Sequence, residues 1–153
     1  MRLSLISPRR YPVGGRDRAF ADLLHKLHGQ VPNSLILSIK KLHDKKKSYH
    51  PNTVNVSNQE IYQQLLDGER LLGILEPHLD DKNNRYPPNG VSDCGVESFP
   101  SEDGNKYLVG PVAAKGHEQL WQDINVLPSP SHTTDIALGL LFGYDPIEIQ
   151  KFL

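Results

Sequence analysis

The residues in this chain whose types suit chemistry or binding begin with its cations. Arg9, Arg10, Arg16 and Arg18 are followed by Lys40, Lys41, Lys45, Lys46 and Lys47, with Tyr11, His43, Tyr49 and His50 interspersed. If the arginine and lysine groups converge on one face, they can neutralise phosphates without regard to sequence, or meet an acidic protein surface. The alternative is that they are solvated or complement the chain's own acidic part. Seven histidines are the second set. His25 and His28 are spaced to share a helical face, yet no His-Glu-x-x-His or Cys-x-x-Cys pair accompanies them, so no metal or cofactor is expected. Gly14-Gly15 lacks the spacing and the Lys-Ser/Thr of a phosphate-binding loop.

The third set surrounds the single cysteine, in Asn89-Gly90-Val91-Ser92-Asp93-Cys94-Gly95-Val96. Asp-Cys-Gly-Val resembles the nucleophile segment of the Ulp-type cysteine proteases. The resemblance implies a thiolate nucleophile at Cys94, a histidine to deprotonate it, an acidic residue to orient that histidine, and an oxyanion donor. His78 and His117 are the nearest bases. In that family the cysteine opens a buried helix and the histidine follows a hydrophobic strand upstream. Here Cys94 precedes Glu97, Pro100 and Asp103 in a polar stretch, and the likeness covers about eight residues of 153. Elsewhere, Asp80-Asp81 and Glu102-Asp103 read as solvated turns, because acid–base catalysis needs carboxylates held in different environments. Trp121, at helical spacing from His117 and Ile124, reads as a core anchor ahead of a ligand-stacking platform.

These groups sit on a chain with a marked charge division. Residues 1–50 carry eleven basic side chains against three acidic, formally +8, and residues 51–153 are formally −9, within a net charge of −1. Such polarisation bears on partners and association, not on fold. The length suits one globular domain, 1–153, able to bury roughly two thirds of its unfolded surface. No apolar stretch approaches the roughly 20 residues of a membrane span, and the N-terminus does not resemble a secretory signal. One cysteine allows no internal disulfide, which agrees with a reducing compartment, so a cytoplasmic protein is expected.

Several elements must position these groups. Residues 3–6 alternate as a short strand and Pro8 to Gly15 reads as turn. From Asp17, Phe20, Leu23, Leu24 and Leu27 make a helical stripe that Gly29 stops. Leu35, Ile39 and Leu42 share a helical face, although Leu35-Ile36-Leu37 also suits a buried strand, and Lys45 to Lys47 sit at that helix's C-terminus. Ser57 and Glu60 form a capping box that opens a long helix running to Glu76, with Ile61, Leu65, Leu72 and Leu75 inward. Within it, Gly68 and Gly73 cost about 1 kcal/mol each. A long irregular loop is expected near residues 78–105, then a strand at Tyr107-Leu108-Val109 and a helix through His117 to Ile124. Thr133 or Thr134 caps the next helix, which Gly143 ends. Asp145-Pro146-Ile147-Glu148 opens the last, with Ile149, Phe152 and Leu153 inward. The expected fold is mainly α, in the α+β class, with four to six helices and a few short strands.

The leading functional expectation is a small binding or regulatory protein, an inhibitor or adaptor, that engages a protein partner through its charged surface. Arg9, Arg10, Arg16, Arg18, Lys45, Lys46 and Lys47 are its candidate contacts. Nucleic-acid binding by the same cations, self-association through opposite charges, and a hydrolase centred on Cys94 are the alternatives.

Overall fold

The computed structural model describes residues 10–46, 49, 56–75, 86, 95–111, 113–128 and 131–153, with side chains from residue 15 onward. The strand expected at 3–6 lies outside them, as do Arg9, Lys47, His50, His78, Asp80-Asp81 and Cys94.

Among the described residues six helices and three strands follow one another: α1 (Arg10–Leu27), α2 (Asn33–Lys45), α3 (Asn58–Leu66), β1 (Leu72–Leu75), β2 (Glu97–Pro100), β3 (Lys106–Val109), α4 (His117–Asn125), α5 (His132–Leu141) and α6 (Pro146–Lys151). This is the mainly α, α+β architecture that the hydrophobic spacing predicts. Helix α1 starts earlier than expected, so Arg10 to Gly15 is helix and not turn. Pro12 falls in the first turn, where a missing N–H costs no helical hydrogen bond. Ala19, Leu23, Leu24 and Leu27 are buried further along. Gly29, at φ 79°, ends the stripe. In α2, Leu35, Ile39 and Leu42 are fully buried, which settles the 35–37 ambiguity in favour of helix.

The long third helix is the main correction. Ser57 does cap α3, accepting from the Glu60 amide at 3.1 Å, but the helix stops at Leu66. Gly68 turns the chain at φ 76°. The amide of Glu69 then closes on the Gln64 carbonyl at 2.9 Å. Leu72 and Leu75, counted as helical, belong to β1. The two patterns coincide because residues three apart are inward both on a helix and on a strand buried on both faces.

The sheet has order β1-β3-β2, and both pairings are antiparallel. Much of the expected loop near 100 is therefore a hairpin, with β2 and β3 joined by a turn in which the Ser101 amide donates to the Asn105 carbonyl at 3.1 Å. Alternation divides the sheet's faces. Leu72, Phe99, Tyr107 and Val109 join the large core shared with α1, α2, α4, α5 and α6. Leu75, Leu108 and Val96 pack with Ile61, Tyr62 and Leu65 in a smaller core under α3. Gly73 makes the second face possible, since a Cβ there would collide with Ile61 Cγ2 and touch Leu65 Cδ1.

At the end of the chain, Ser131 caps α5, accepting from the Thr134 amide at 3.1 Å, so neither threonine is the cap. Asp145 caps α6 as its spacing predicts. Ile149 is inward, but Phe152 is 81% exposed and Leu153 is also open. Helix α6 has only six residues, and Phe152 is already its C-cap, so no further turn carries it back to the core.

The two readings of residues 66–76 make opposite predictions for one substitution. In a continuous helix Gly73→Ala would stabilise by about 1 kcal/mol. Against Ile61 it overpacks, and a loss of about 1 to 3 kcal/mol in urea denaturation is expected.

Candidate functional site

Arg16 is the first candidate cation with a defined role. It projects from α1 onto Asp145, giving hydrogen bonds from Nε to Oδ1 at 3.2 Å and from Nη2 to Oδ2 at 2.8 Å. Asp145 is at the same time the cap of α6, accepting from the Ile147 amide at 3.0 Å. Burial alone would raise the Asp145 pKa, but the hydrogen bonds from Arg16 and the Ile147 amide outweigh it and hold the carboxyl below its ordinary value. The sequence offers no helix end that needs an arginine near residue 16. The structure supplies one from 129 residues away.

Lys46 converges on the same place. The Tyr49 ring centroid lies 4.9 Å from Arg16 Cζ and 4.8 Å from Lys46 Nζ, within cation–π range of both. The Lys46 ammonium also donates to the Glu69 carbonyl at 2.5 Å, and burial lowers its pKa. It is therefore part of the packing and not a solvated helix terminus.

His43 lies beneath Tyr49. Its Nε2 is 2.9 Å from the Leu140 carbonyl and its Nδ1 is 2.7 Å from the Tyr49 hydroxyl. A carbonyl can only accept, so Nε2 carries the proton and Nδ1 accepts from the tyrosine. Phe20 packs on the imidazole at a centroid distance of 4.8 Å. Desolvation lowers the His43 pKa to about 4, and desolvation raises that of Tyr49 to about 12. Both rings are neutral at physiological pH with their polar atoms engaged, so this network ties α1, α2, α5 and α6 together and offers no free base.

Of the remaining candidates, Arg9 and Lys47 lie outside the described residues. Arg10 begins α1, Arg18 is exposed on α1, and Lys45 is exposed at the end of α2. Sequence reasoning missed the outward face of α2, where Leu37 is 45% exposed among the exposed Lys40, Lys41, Asp44 and Lys45. The signal was available: Leu37 is out of phase with the stripe of Leu35, Ile39 and Leu42.

His25 and His28 are exposed on α1 and its end, and no cluster of three His, Cys, Asp or Glu suited to a metal exists among the described residues. His117, opening α4, places Nε2 2.6 Å from the Gly95 carbonyl, one residue from Cys94 in sequence. Trp121 is half-buried, stacked on Phe99 at 5.1 Å and meeting Tyr107 edge-on at 5.1 Å. Protein-family models, curated proteins and solved structures contain no match to this chain. No described helix is long and apolar enough to cross a membrane.

The buried imidazole makes stability depend on pH. The folded-state pKa of His43, about 4, lies below the ordinary imidazole value of 6.5. The unfolded chain therefore binds the proton more tightly, and stability present above pH 6.5 is lost as pH falls toward 4. The loss amounts to about 3 kcal/mol. Urea midpoints measured across this window should fall in the wild type. In His43→Gln, which cannot titrate, that part of the slope should be absent.

Proposed function

We propose that this is a binding or regulatory protein, acting as an inhibitor or adaptor, which engages an acidic protein partner through the outer face of α2. The observation carrying this reading is Leu37, exposed among Lys40, Lys41 and Lys45. An apolar side chain that can be desolvated at the centre of a contact, surrounded by cations at its rim, is the composition of a protein-binding patch. Of the candidate contacts with described side chains, Arg18 and Lys45 are exposed. Arg16 and Lys46 are removed from the contact set because the fold uses them.

A protein partner is favoured over nucleic acid. Asp44 stands within the lysine face, Asp17 and Asp22 are exposed on α1, and the whole chain is net negative. A duplex would meet repulsion that a compact acidic protein surface avoids. Mutual neutralisation of Arg16 and Asp145 within one molecule also removes one charge pair from the head-to-tail association that the charge division suggests.

A photo-crosslinking residue at Leu37 should capture a discrete protein in the native cell. The Lys40→Glu, Lys41→Glu, Lys45→Glu variant should lose that product, with affinity for the captured protein reduced roughly tenfold or more. Steep, salt-dependent retardation of a DNA or RNA duplex through the same lysines, without a protein product, would move the assignment to nucleic acid.

One observation favours a second reading, the hydrolase centred on Cys94. The hydrogen bond from His117 to the Gly95 carbonyl ties an imidazole to the residue that follows Cys94 in the sequence. If His117 activates Cys94, iodoacetamide alkylation shows a thiol pKa well below about 8.5 that rises in His117→Ala. An unshifted thiol in both proteins removes the hydrolase.

A further inference from the structure

A cavity of about 600 Å³ opens between the β2–β3 hairpin, α4 and the start of α5, remote in sequence from the lysine face of α2. Its volume falls in the range of small-ligand sites. Leu138 and Ile124 supply apolar surface, Trp121 and Tyr107 supply aromatic walls, and Glu102 is the one charged residue among those lining it.

The aromatic wall is fixed before any ligand arrives. Phe99 stacks on the Trp121 indole at 13° between planes, and Tyr107 meets it at 63°. With the indole held by two rings, a ligand need not order it, which lowers the entropic cost of binding. Trp121 nonetheless stays half-exposed toward the cavity and is not sealed into the core.

The turn that carries the carboxylate is also fixed, while the Glu102 side chain itself is exposed. Glu102 lies in a turn closed by the Ser101 amide on the Asn105 carbonyl and by the Gly104 amide on the Ser101 carbonyl, both at 3.1 Å. Gly104 at φ 88° takes the left-handed position there. Asp103 is occupied within the turn, accepting from the Asn105 amide at 3.0 Å. Among the described residues Glu102 has no hydrogen-bond or ion-pair partner. The nearest cation in sequence, Lys106, alternates to the opposite face of β3 and donates to the Tyr86 carbonyl at 3.0 Å.

We propose that this cavity binds an organic cation, with the charged nitrogen placed between the Trp121 face and the Glu102 carboxylate and the apolar body against Leu138 and Ile124. Tryptophan is the strongest aromatic partner for a cation, and an unpaired carboxylate at the rim selects positive charge over a neutral ring. Two sources share this chemistry: a free quaternary ammonium compound, or a lysine or arginine side chain presented by another protein. The site does not rest on the reading of α2.

Trp121 is the only tryptophan, so its fluorescence reports occupancy directly. Choline, its neutral isostere 3,3-dimethyl-1-butanol, glucose, and the N-acetyl amides of lysine and arginine are the probes. Saturable quenching by at least one cation is expected, with the neutral isostere and glucose about tenfold weaker or more. Preference for choline or for an amino-acid amide identifies the source. Glu102→Gln should weaken the preferred cation about fivefold to tenfold and flatten its salt dependence. Trp121→Phe, read by nuclear magnetic resonance, should weaken it while the fold is kept. Equal binding of choline and its isostere, tighter binding of glucose, no saturable response to any cation, or unchanged affinity in Glu102→Gln would each overturn the assignment.

Discussion

The carbonyl of Glu69 is the point where the elements of this fold constrain one another. It faces Gly143 so closely that a Cβ on residue 143 would collide with it, and it accepts from the Lys46 ammonium. One backbone oxygen thus joins the turn into β1, the end of α2 and the corner between α5 and α6. The neighbouring amide of Leu71 donates to the Leu141 carbonyl at 2.8 Å, and the Leu71 carbonyl accepts from the Gly110 amide at 2.8 Å. Arg70, between them, is buried, donates to Gln64 at 2.9 Å and lies 5.8 Å from the Phe142 ring centroid. Gly143 is required twice over, for its φ of 81° and for the absence of a side chain. With this junction in place, the sheet is anchored to the helical core and the Arg16–Asp145 pair can form.

What was legible in the sequence follows from locality. Caps and stops act over a few residues, so Ser57, Asp145, Gly29 and Gly143 announce their roles through spacing alone. The stripe of Leu35, Ile39 and Leu42 is equally local, because it needs only helical periodicity. The boundary at Leu66 was not legible, since Leu72 and Leu75 fit a helix as well as a strand, and the turn at Gly68, the pairing with β3 and the approach of Gly73 to Ile61 that distinguish them depend on the fold. Strand β2 was hidden for a similar reason. Glu97 to Pro100 has one buried side chain, Phe99, and no alternation long enough to show against a polar background.

The candidate site was legible in composition but not in arrangement. The sequence identifies Arg16 and Lys46 as cations without naming what they meet, since Asp145 and the Glu69 carbonyl are brought to them by the fold. Their convergence on Tyr49 engages two charges within the fold while Lys40, Lys41 and Lys45 stay exposed on α2. A count of charges along the chain treats these two groups alike. Partners separate them: Arg16 and Lys46 are directed onto Asp145, the Glu69 carbonyl and the Tyr49 ring, whereas Lys40, Lys41 and Lys45 are exposed.

The same distinction applies on the acidic side and gives the charge division its physical meaning. Asp145 is committed to Arg16 and the α6 amide, Asp123 is buried and accepts from Ser34 and Gln119, and Glu148 pairs with Lys151. Glu102 has none of these obligations, although its turn is closed by backbone hydrogen bonds on either side. A carboxylate on a fixed turn but uncommitted through its side chain gains little for the fold from remaining charged at a cavity rim, and electrostatic complementarity to a ligand is what such a group can supply. The opposite charges of the two ends of the chain are therefore partly spent against each other inside one molecule. Among the described charges left uncommitted, the lysine face on α2 and the Glu102 carboxylate near Trp121 differ in sign, so one ligand chemistry does not suit both.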